Sequence, residues 1–314
     1  MCSIGNIVKT PLNYTGNKSR ILGQILPLFP KKINRFVDLC CGGASVGLNV
    51  LSRSQDVICI DINQNVIELL KTLKIFPETT IVKKVEGIIN EFGLSDTSTN
   101  GYEMYKTFVA GNNGFKEYNK AGYMRLRDYF NETKMKPYDR AIYLFTLISY
   151  SFNNDMRFNS GGKFNMPVGK TDFNASIRDK LTSFKKEVNK KHHIDFYCAE
   201  FGIVKEFGLS KKDFVYIDPP YLITDAVYNE NGAWDEQKEK ELLEVLDFLH
   251  STDVKFALSN VLRKEGIENK ILSNWIKENK FHVIDIDYHY RSASYNKKNR
   301  QANEQEVVVL SYAP

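Results

Sequence analysis

The stretch Arg-Phe-Val-Asp-Leu-Cys-Cys-Gly-Gly-Ala-Ser-Val-Gly at residues 35–47 decides the fold that this sequence predicts. It begins as a short apolar run typical of a buried strand, is broken by two glycines, and continues at helical spacing through residues 46–51. A second strand-like run, residues 56–61, follows and ends in a carboxylate. This order of strand, glycine-rich turn, helix and strand is typical of a βαβ unit.

The later part of the chain repeats the pattern. Residues 213–218 form an apolar run that ends in Asp218, and Pro219 and Pro220 stop it because proline cannot donate to a sheet ladder. Further elements are then predicted as a helix at 235–250, a strand at 254–260, a helix at 264–280, and closing strands at 281–288 and 306–312. Strands that alternate with helices predict a doubly wound, Rossmann-like α/β sheet.

The middle of the chain has a different character, rich in aromatic residues, asparagine and lysine. Strand-forming residues on both sides of Ser-Gly-Gly at 160–162 predict a β-hairpin. We therefore expect a catalytic domain at 1–71 and 180–314, with a mainly helical lobe at 72–179 inserted into it.

Composition excludes several classes of protein. Lysine and arginine outnumber aspartate and glutamate by 43 to 38, and this mild basicity is compatible with a polyanionic partner. The five cysteines show no metal-ligand spacing, so neither a zinc site nor a disulfide framework is predicted. Because the sequence contains no signal-peptide pattern and no long apolar run, we expect a cytoplasmic protein with no membrane association.

Two motifs suggest a nucleoside-containing cofactor. The glycines after Asp38 would let a ligand approach the backbone, and Asp61 stands at the spacing from Gly42 at which a carboxylate binds both ribose hydroxyls. Lys18, which follows a glycine turn, could neutralise a ligand carboxylate, and Tyr14 could pack on the ligand. An ordinary tight turn and an N-terminal arm are the alternatives.

The tetrapeptide Asp218-Pro219-Pro220-Tyr221 suggests chemistry on an amine. Adenine N6 is a poor nucleophile because its lone pair is delocalised into the ring. A carboxylate and a backbone carbonyl that accept its hydrogens would free the lone pair for attack on a sulfonium methyl group. Tyr221 would offer a flat face to a base rotated out of the helix. The alternative for the tripeptide alone is a strand-ending turn.

Four ordered motifs, at residues 11–18, 37–49, 61–63 and 218–221, closely resemble those of the Dam-like (D12 class, alpha group) adenine-N6 DNA methyltransferases. The resemblance runs nearly end to end and includes Phe-Asn-Met-Pro-Val-Gly at 164–169. It implies a Rossmann-like methyltransferase sheet with an inserted target-recognition lobe. It also implies methyl transfer from S-adenosylmethionine to a flipped adenine in duplex DNA, in a restriction-modification or epigenetic context.

The resemblance also implies roles for individual residues. Those expected to catalyse are Asp218, Pro219, Pro220 and Tyr221. Those expected to bind the cofactor are Tyr14, Lys18, Asp38, Cys40, Gly42, Ser45, Asp61, Ile62, Phe201 and Asp218, with Asp61 on the ribose and Phe201 near the adenine. Those expected to bind DNA are Asn13, Tyr150, Asn154, Asp155, Arg157, Asn165, Pro167, Arg291, Lys297 and Lys298. Arg157 would read a guanine and Tyr150 would wedge into the duplex. No metal is expected.

Some positions depart from the family pattern. Cys40 and Ala44 stand where the first motif usually carries an aromatic residue and a glycine. Asn13 replaces a guanine-reading lysine of the Dam branch, and Asp155 replaces an apolar residue. Since asparagine favours the edge of adenine, GATC is not the expected target.

Other interpretations stay open at this stage. Arg291, Lys297 and Lys298 lie in a polar loop that could contact phosphates or be merely solvated. An RNA N6-adenine methyltransferase, another amine methyltransferase, or a catalytically silent DNA-binding module are the alternative functions. Double-stranded DNA is the expected partner, and a restriction endonuclease that acts on the same site could be a second one, although the sequence does not determine whether it exists.

Overall fold

The computed structural model describes residues 7–109, 111–190, 193–223, 234–287 and 304–314. The chain forms two compact units. The first is built mainly from Lys18–Ile62 and His192–Pro314, and the second from Val8–Asn17 and Asn63–Lys191.

The elements are numbered in chain order. The strands are β1 (Ile33–Leu39), β2 (Ser54–Asp61), β3 (His193–Cys198), β4 (Phe214–Ile217), β5 (Lys255–Lys264), β6 (Ile267–Glu268), β7 (His282–Asp285) and β8 (Glu304–Leu310). The α-helices are α1 (Leu22–Ile25), α2 (Ser45–Val50), α3 (Gln64–Ile75), α4 (Glu78–Phe92), α5 (Thr97–Asn100), α6 (Lys116–Glu132), α7 (Pro137–Tyr150), α8 (Ala175–Val188), α9 (Glu236–Ser251) and α10 (Lys270–Asn279). None of these helices has both the length and the hydropathy needed to cross a bilayer.

The first unit is built on one sheet with the strand order β3-β2-β1-β4-β5-β8-β7. The pairs among β3, β2, β1, β4 and β5 are parallel, and β8 runs antiparallel to β5 and β7. All four side chains of β4 are fully buried, as the apolar run at 213–218 predicted. The predicted α/β architecture with a mainly parallel sheet is confirmed.

The register of β1 fixes where the candidate site lies. Leu39 pairs with Ile60 on one side and with Ile217 on the other. Cys40, Asp61 and Asp218 therefore occupy one row across three neighbouring strands, at the carboxyl ends of β1, β2 and β4. In open α/β sheets this edge binds ligands where the strand order reverses, which here is between β1 and β4.

The helix predicted at 264–280 begins later than predicted, at Lys270. β5 continues to Lys264, and left-handed φ values of 50° at Glu265 and 85° at Gly266 turn the chain back into β6. The helix α10 begins at Lys270 because the side chain of Asn269 caps it, accepting from Leu272 N at 3.1 Å. The closing strand β7 is also shorter than predicted.

The second unit contains α3 to α8, and its bounds differ from the predicted lobe at 72–179. The predicted boundaries cut through α3 and α8, whereas α3 packs on both α7 and α8 inside this unit. Lys185 on α8 donates to the carbonyls of Leu73, Lys74 and Phe76 at 2.7–3.0 Å, which ties the end of α3 to α8.

Around the predicted hairpin, the chain doubles back through an isolated bridge and not through regular strands. Phe158 and Phe164 form an antiparallel bridge, and Gly162 N donates to Asn159 O at 2.9 Å to close the turn. At the base of the hairpin, a Cβ atom on Gly169 would lie 2.2 Å from the carbonyl oxygen of Ser151, so only glycine fits there.

A buried carboxylate joins the glycine-rich turn to the sheet. Asp38 on β1 is 1% exposed, and its Oδ2 accepts from Gly47 N, near the start of α2, at 2.8 Å. Burial raises the pKa of Asp38 to about 8, although the Gly47 hydrogen bond acts in the opposite direction. A Cβ atom on Gly47 would lie 2.6 Å from Cys59 Sγ, so α2 packs closely on β2 through this glycine.

Gly47→Ala should lower the free energy of unfolding by about 1–3 kcal/mol, because the added methyl group overpacks the contact with the buried Cys59. Gly87→Ala is the matched control, since nothing lies within 4 Å of a Cβ atom there. The control should be neutral, or stabilising by up to about 1 kcal/mol, because alanine favours a helix. Denaturant unfolding measures both, and equal stability of the two variants would contradict the packing account.

Asp38 should make stability depend on pH. Its raised pKa means that the folded state keeps a proton that the unfolded state releases between pH 3.8 and about 8. The free energy of unfolding should therefore fall as the pH rises through this window, by up to about 1.4 kcal/mol per pH unit. Asp38→Asn keeps an acceptor for Gly47 N but cannot titrate. Parallel stability profiles of parent and variant from about pH 5 to 8 would contradict the assignment.

Candidate active site

The loop after β1 has an unusual backbone. Cys40, Gly42 and Ala44 all have left-handed φ values, of 57°, 50° and 57°. Cys41 N donates to Ile60 O at 2.9 Å, which anchors the loop to β2, and Ala44 N donates to Cys41 O at 2.8 Å. The loop thus turns sharply over the ends of β1 and β2 before α2 begins, as the glycine motif predicted.

Asp61 closes this loop from the end of β2. Its Oδ2 accepts from Gly42 N at 2.8 Å, and the residue is 8% exposed. Ile62, the next residue, is 67% exposed. Phe201 follows β3 and lies edge-on to Trp234, with ring centroids 5.9 Å apart. A carboxylate and accessible apolar side chains therefore stand at the ends of neighbouring parallel strands.

Lys18, Asp218 and Tyr221 form a connected group, which we call the catalytic hub. Lys18 Nζ lies 2.9 Å from Asp218 Oδ1 and donates to the Tyr221 hydroxyl at 2.7 Å. The Tyr221 hydroxyl donates to the same Asp218 Oδ1 at 3.0 Å. One carboxylate oxygen, Oδ1, is thus held by both Lys18 and Tyr221.

The electrostatics of the hub reflect its burial. Burial raises the pKa of Asp218, whereas the charge and hydrogen bond of Lys18 and the hydrogen bond of Tyr221 act in the opposite direction. Burial, together with Asp218, also raises the pKa of the Tyr221 phenol well above its usual value, so Tyr221 stays a neutral donor. Lys18 is 6% exposed and its backbone N donates to Ser45 Oγ at 3.3 Å, which places it over the start of α2.

Two neighbours of the hub were not predicted from the sequence. Glu306 on β8 places Oε1 3.8 Å from Lys18 Nζ. Tyr216, two residues before Asp218, shares a 2.7 Å hydrogen bond with Ser259 on β5. The signal for Glu306 was a charged residue directly before the apolar end of a closing strand, but only the sheet order brings it to Lys18.

The second unit holds most of the predicted DNA-binding residues. Arg157 is exposed on the hairpin, and its Nε donates to Asn165 Oδ1 at 2.9 Å across the paired segments. The backbone carbonyl of Pro167 accepts a hydrogen bond from Phe152 N at 2.9 Å. The hairpin thus presents an arginine whose guanidinium is oriented by a side-chain amide.

The N-terminal segment of this unit contacts the residues just before the hairpin. Asn13 Nδ2 donates to the carbonyl of Asn153 at 3.3 Å, and its Oδ1 accepts from Lys180 Nζ at 2.8 Å. Thr15 Oγ1 donates to Asp155 Oδ2 at 2.8 Å. Asn13 and Asp155, two of the positions that depart from the family pattern, therefore both lie where residues 13–15 contact residues 153–155. Tyr14 lies between Asn13 and Thr15 in the chain, and its backbone carbonyl accepts hydrogen bonds from Asn17.

Two of the predicted DNA-binding residues form hydrogen bonds inside the protein. Tyr150 is fully buried and its hydroxyl donates to Ser95 O, so it cannot wedge into a duplex in this conformation. The Nδ2 of Asn154 donates to the carbonyl of Ser149 at 2.8 Å and to Thr171 Oγ1 at 3.0 Å, so it completes the end of α7. Phe152, by contrast, is 47% exposed. Periodicity could not separate these aromatic residues because α7 ends between them.

Arg291, Lys297 and Lys298, predicted to contact phosphates, lie outside the residues that the structure describes. Within the described residues, no group of three or more histidine, cysteine, aspartate or glutamate side chains is arranged to hold a metal ion.

Comparison with curated proteins identifies several relatives. The chain is 38% identical to the type II methyltransferase M.FokI of Planomicrobium okeanokoites and 34% identical to the modification methylase StsI of Streptococcus sanguinis. Each match covers 97% of this chain but only 43% of the relative, so the chain spans less than half of their length. A DNA adenine methylase of Salmonella typhi is 26% identical, over 96% of this chain and 95% of its own.

A family model gives the same assignment. The model described as D12 class N6 adenine-specific DNA methyltransferase matches residues 14–291, a range that contains the glycine loop, the hairpin and the hub. The resemblance drawn from the four motifs is confirmed, and the chain belongs to the D12 class of N6 adenine-specific DNA methyltransferases.

Proposed function

We propose that this chain transfers a methyl group from S-adenosylmethionine to N6 of an adenine rotated out of duplex DNA. The observation that carries this proposal is the catalytic hub, in which Lys18 and Tyr221 both hold Asp218 by Oδ1. In this proposal, Oδ2 accepts a hydrogen from the amine.

The hub suits the chemistry that adenine N6 requires. Accepting one amino hydrogen at Asp218 Oδ2 and the other at the Pro219 carbonyl draws the nitrogen toward tetrahedral geometry and localises its lone pair. Because these acceptors are fixed before the base arrives, little reorganisation is needed at the moment of reaction. Asp218, which would contact N6, would also be placed to accept the proton that the amine loses after methylation. The ring of Tyr221 would stack on the flipped adenine.

The residues at the ends of β1 and β2 fit the proposed cofactor. Asp61, fixed by Gly42 N, suits a ribose diol, and the exposed Ile62 and the half-buried Phe201 suit the two sides of an adenine ring. Asp38, Cys40 and Ser45 belong to the turn that would face the methionine part. When bound, S-adenosylmethionine supplies an activated methyl group on a sulfonium.

Target recognition falls to the second unit in this proposal, and to the hairpin in particular. Arg157, oriented by Asn165, would read a guanine by bidentate hydrogen bonds in the major groove. The exposed Phe152 replaces the buried Tyr150 as the proposed aromatic wedge. Asn13 is held by Lys180 and Asn153 at the position that differs from the Dam branch, which supports a target other than GATC.

The relatives suggest a setting. StsI and LlaI are named modification methylases and M.FokI a type II methyltransferase. We therefore propose a restriction-modification role with a cognate endonuclease as partner.

The proposed activity can be tested by expression in a methylation-free host, followed by long-read sequencing of plasmid DNA. The parent chain should methylate adenines in one fixed sequence. Asp218→Asn should reduce methylation by at least about 100-fold, because the amide nitrogen cannot accept from N6. Glu244→Gln, an equivalent change on the exposed face of α9, should leave it unchanged. Unmodified DNA despite folded parent protein, or methylation only in RNA, would contradict the proposal.

The hairpin assignment predicts a difference between two charge-removing variants. Arg157→Ala should weaken binding of the target duplex by about 1–3 kcal/mol and relax specificity at one base pair. Lys163→Ala, on the exposed turn of the same hairpin, removes the same charge but should weaken all sequences equally. Competition binding with a library of duplexes separates the two outcomes. Equal loss across all sequences for Arg157→Ala would exclude base reading.

A further inference from the structure

Glu306 lies beside the catalytic hub, next to Lys18. Its Oε1 is 3.8 Å from Lys18 Nζ, beyond hydrogen-bonding distance, whereas Lys18 Nζ lies 2.9 Å from Asp218 Oδ1. Its side chain is 14% exposed. Glu306 therefore acts on the hub chiefly through its charge.

The charges in and beside the hub do not cancel. Asp218 and Glu306 contribute two negative charges when ionised, and Lys18 contributes one positive charge, so the cluster carries a net charge of −1. Lys18 favours the ionised form of both carboxylates, although burial raises the pKa of each. A buried cluster with net negative charge favours a cation in the space beside it.

The proposed methyl donor and its product differ by one charge. S-adenosylmethionine carries a net charge of +1 because of its sulfonium, whereas the product, S-adenosylhomocysteine, is neutral. In-line transfer requires the methyl group within about 3.5 Å of an N6 that Asp218 holds. The sulfonium would then lie within roughly 10 Å of the cluster, where one added charge still acts strongly in a partly buried site.

We propose that Glu306 is a specificity-determining residue that makes the site prefer the cationic methyl donor over its neutral product. This inference rests on the proposed function and deepens it, because it assigns the release of product to a residue outside the hydrogen-bonded hub. Lys18 orients Asp218, but its positive charge would repel the sulfonium. The carboxylate of Glu306 offsets this repulsion because it keeps the net charge of the cluster negative.

Calorimetric binding to the full chain tests this assignment without turnover. The measured quantity is the ratio of the dissociation constants for S-adenosylhomocysteine and S-adenosylmethionine. Glu306→Gln should lower this ratio about tenfold, mainly because the cationic S-adenosylmethionine binds more weakly. The binding of sinefungin, an analogue with an amine in place of the sulfonium methyl, should weaken in parallel. Glu304→Gln is the matched control, because it removes the same charge from an exposed position on the same strand and should leave the ratio unchanged.

Two further variants keep the test decisive. Glu306→Asp retains the charge and should retain most of the preference, and Glu306→Ala provides a second neutral variant if the Gln variant does not fold. An unchanged ratio in a folded neutral variant, or an equal drop in Glu304→Gln, would overturn the inference alone. If the parent chain binds neither ligand, the proposed function itself fails.

Discussion

The contact between Lys18 and Asp218 is the interaction on which the rest of the site depends. An aspartate at the end of a fully buried strand would favour its protonated form, and a protonated carboxyl group is a poor acceptor for an amine. Lys18 at 2.9 Å opposes that effect and, with Tyr221, occupies one carboxylate oxygen. The lysine thus sets both the charge and the orientation of Asp218. Because Lys18 and Asp218 are 200 residues apart in the chain, it is the fold that brings them together.

The register of the sheet fixes where Asp218 lies. Leu39 pairs with both Ile60 and Ile217, so the residues that follow three buried strands leave the sheet in one row. Gly47 and Asp38 lock α2 against that row, and the left-handed residues at 40, 42 and 44 let the backbone pass over it. The antiparallel strand β8 then adds Glu306 from the far end of the chain. The packing of α2 and the strands therefore determines which side chains meet at the carboxyl edge of the sheet.

Much of this could be predicted from the sequence, and the exceptions have physical causes. The strands that carry Asp61 and Asp218 to one edge follow from apolar runs that end in a carboxylate, and the turn between β1 and α2 follows from its glycines. The burial of Tyr150 could not be predicted, because an aromatic residue in the last turn of a helix can face either the core or solvent, and here it is fully buried. The contact between Glu306 and Lys18 depends on pairing across nearly the whole chain, which no local pattern encodes.

The central claim is that this site places a methyl group on N6 of adenine in duplex DNA. The most direct measurement is mass spectrometry of nucleosides from duplex DNA incubated with the purified chain and S-adenosylmethionine carrying a deuterated methyl group. The account predicts labelled N6-methyldeoxyadenosine as the product. Label on cytosine N4, or in no nucleoside although the protein binds the labelled donor, would contradict it.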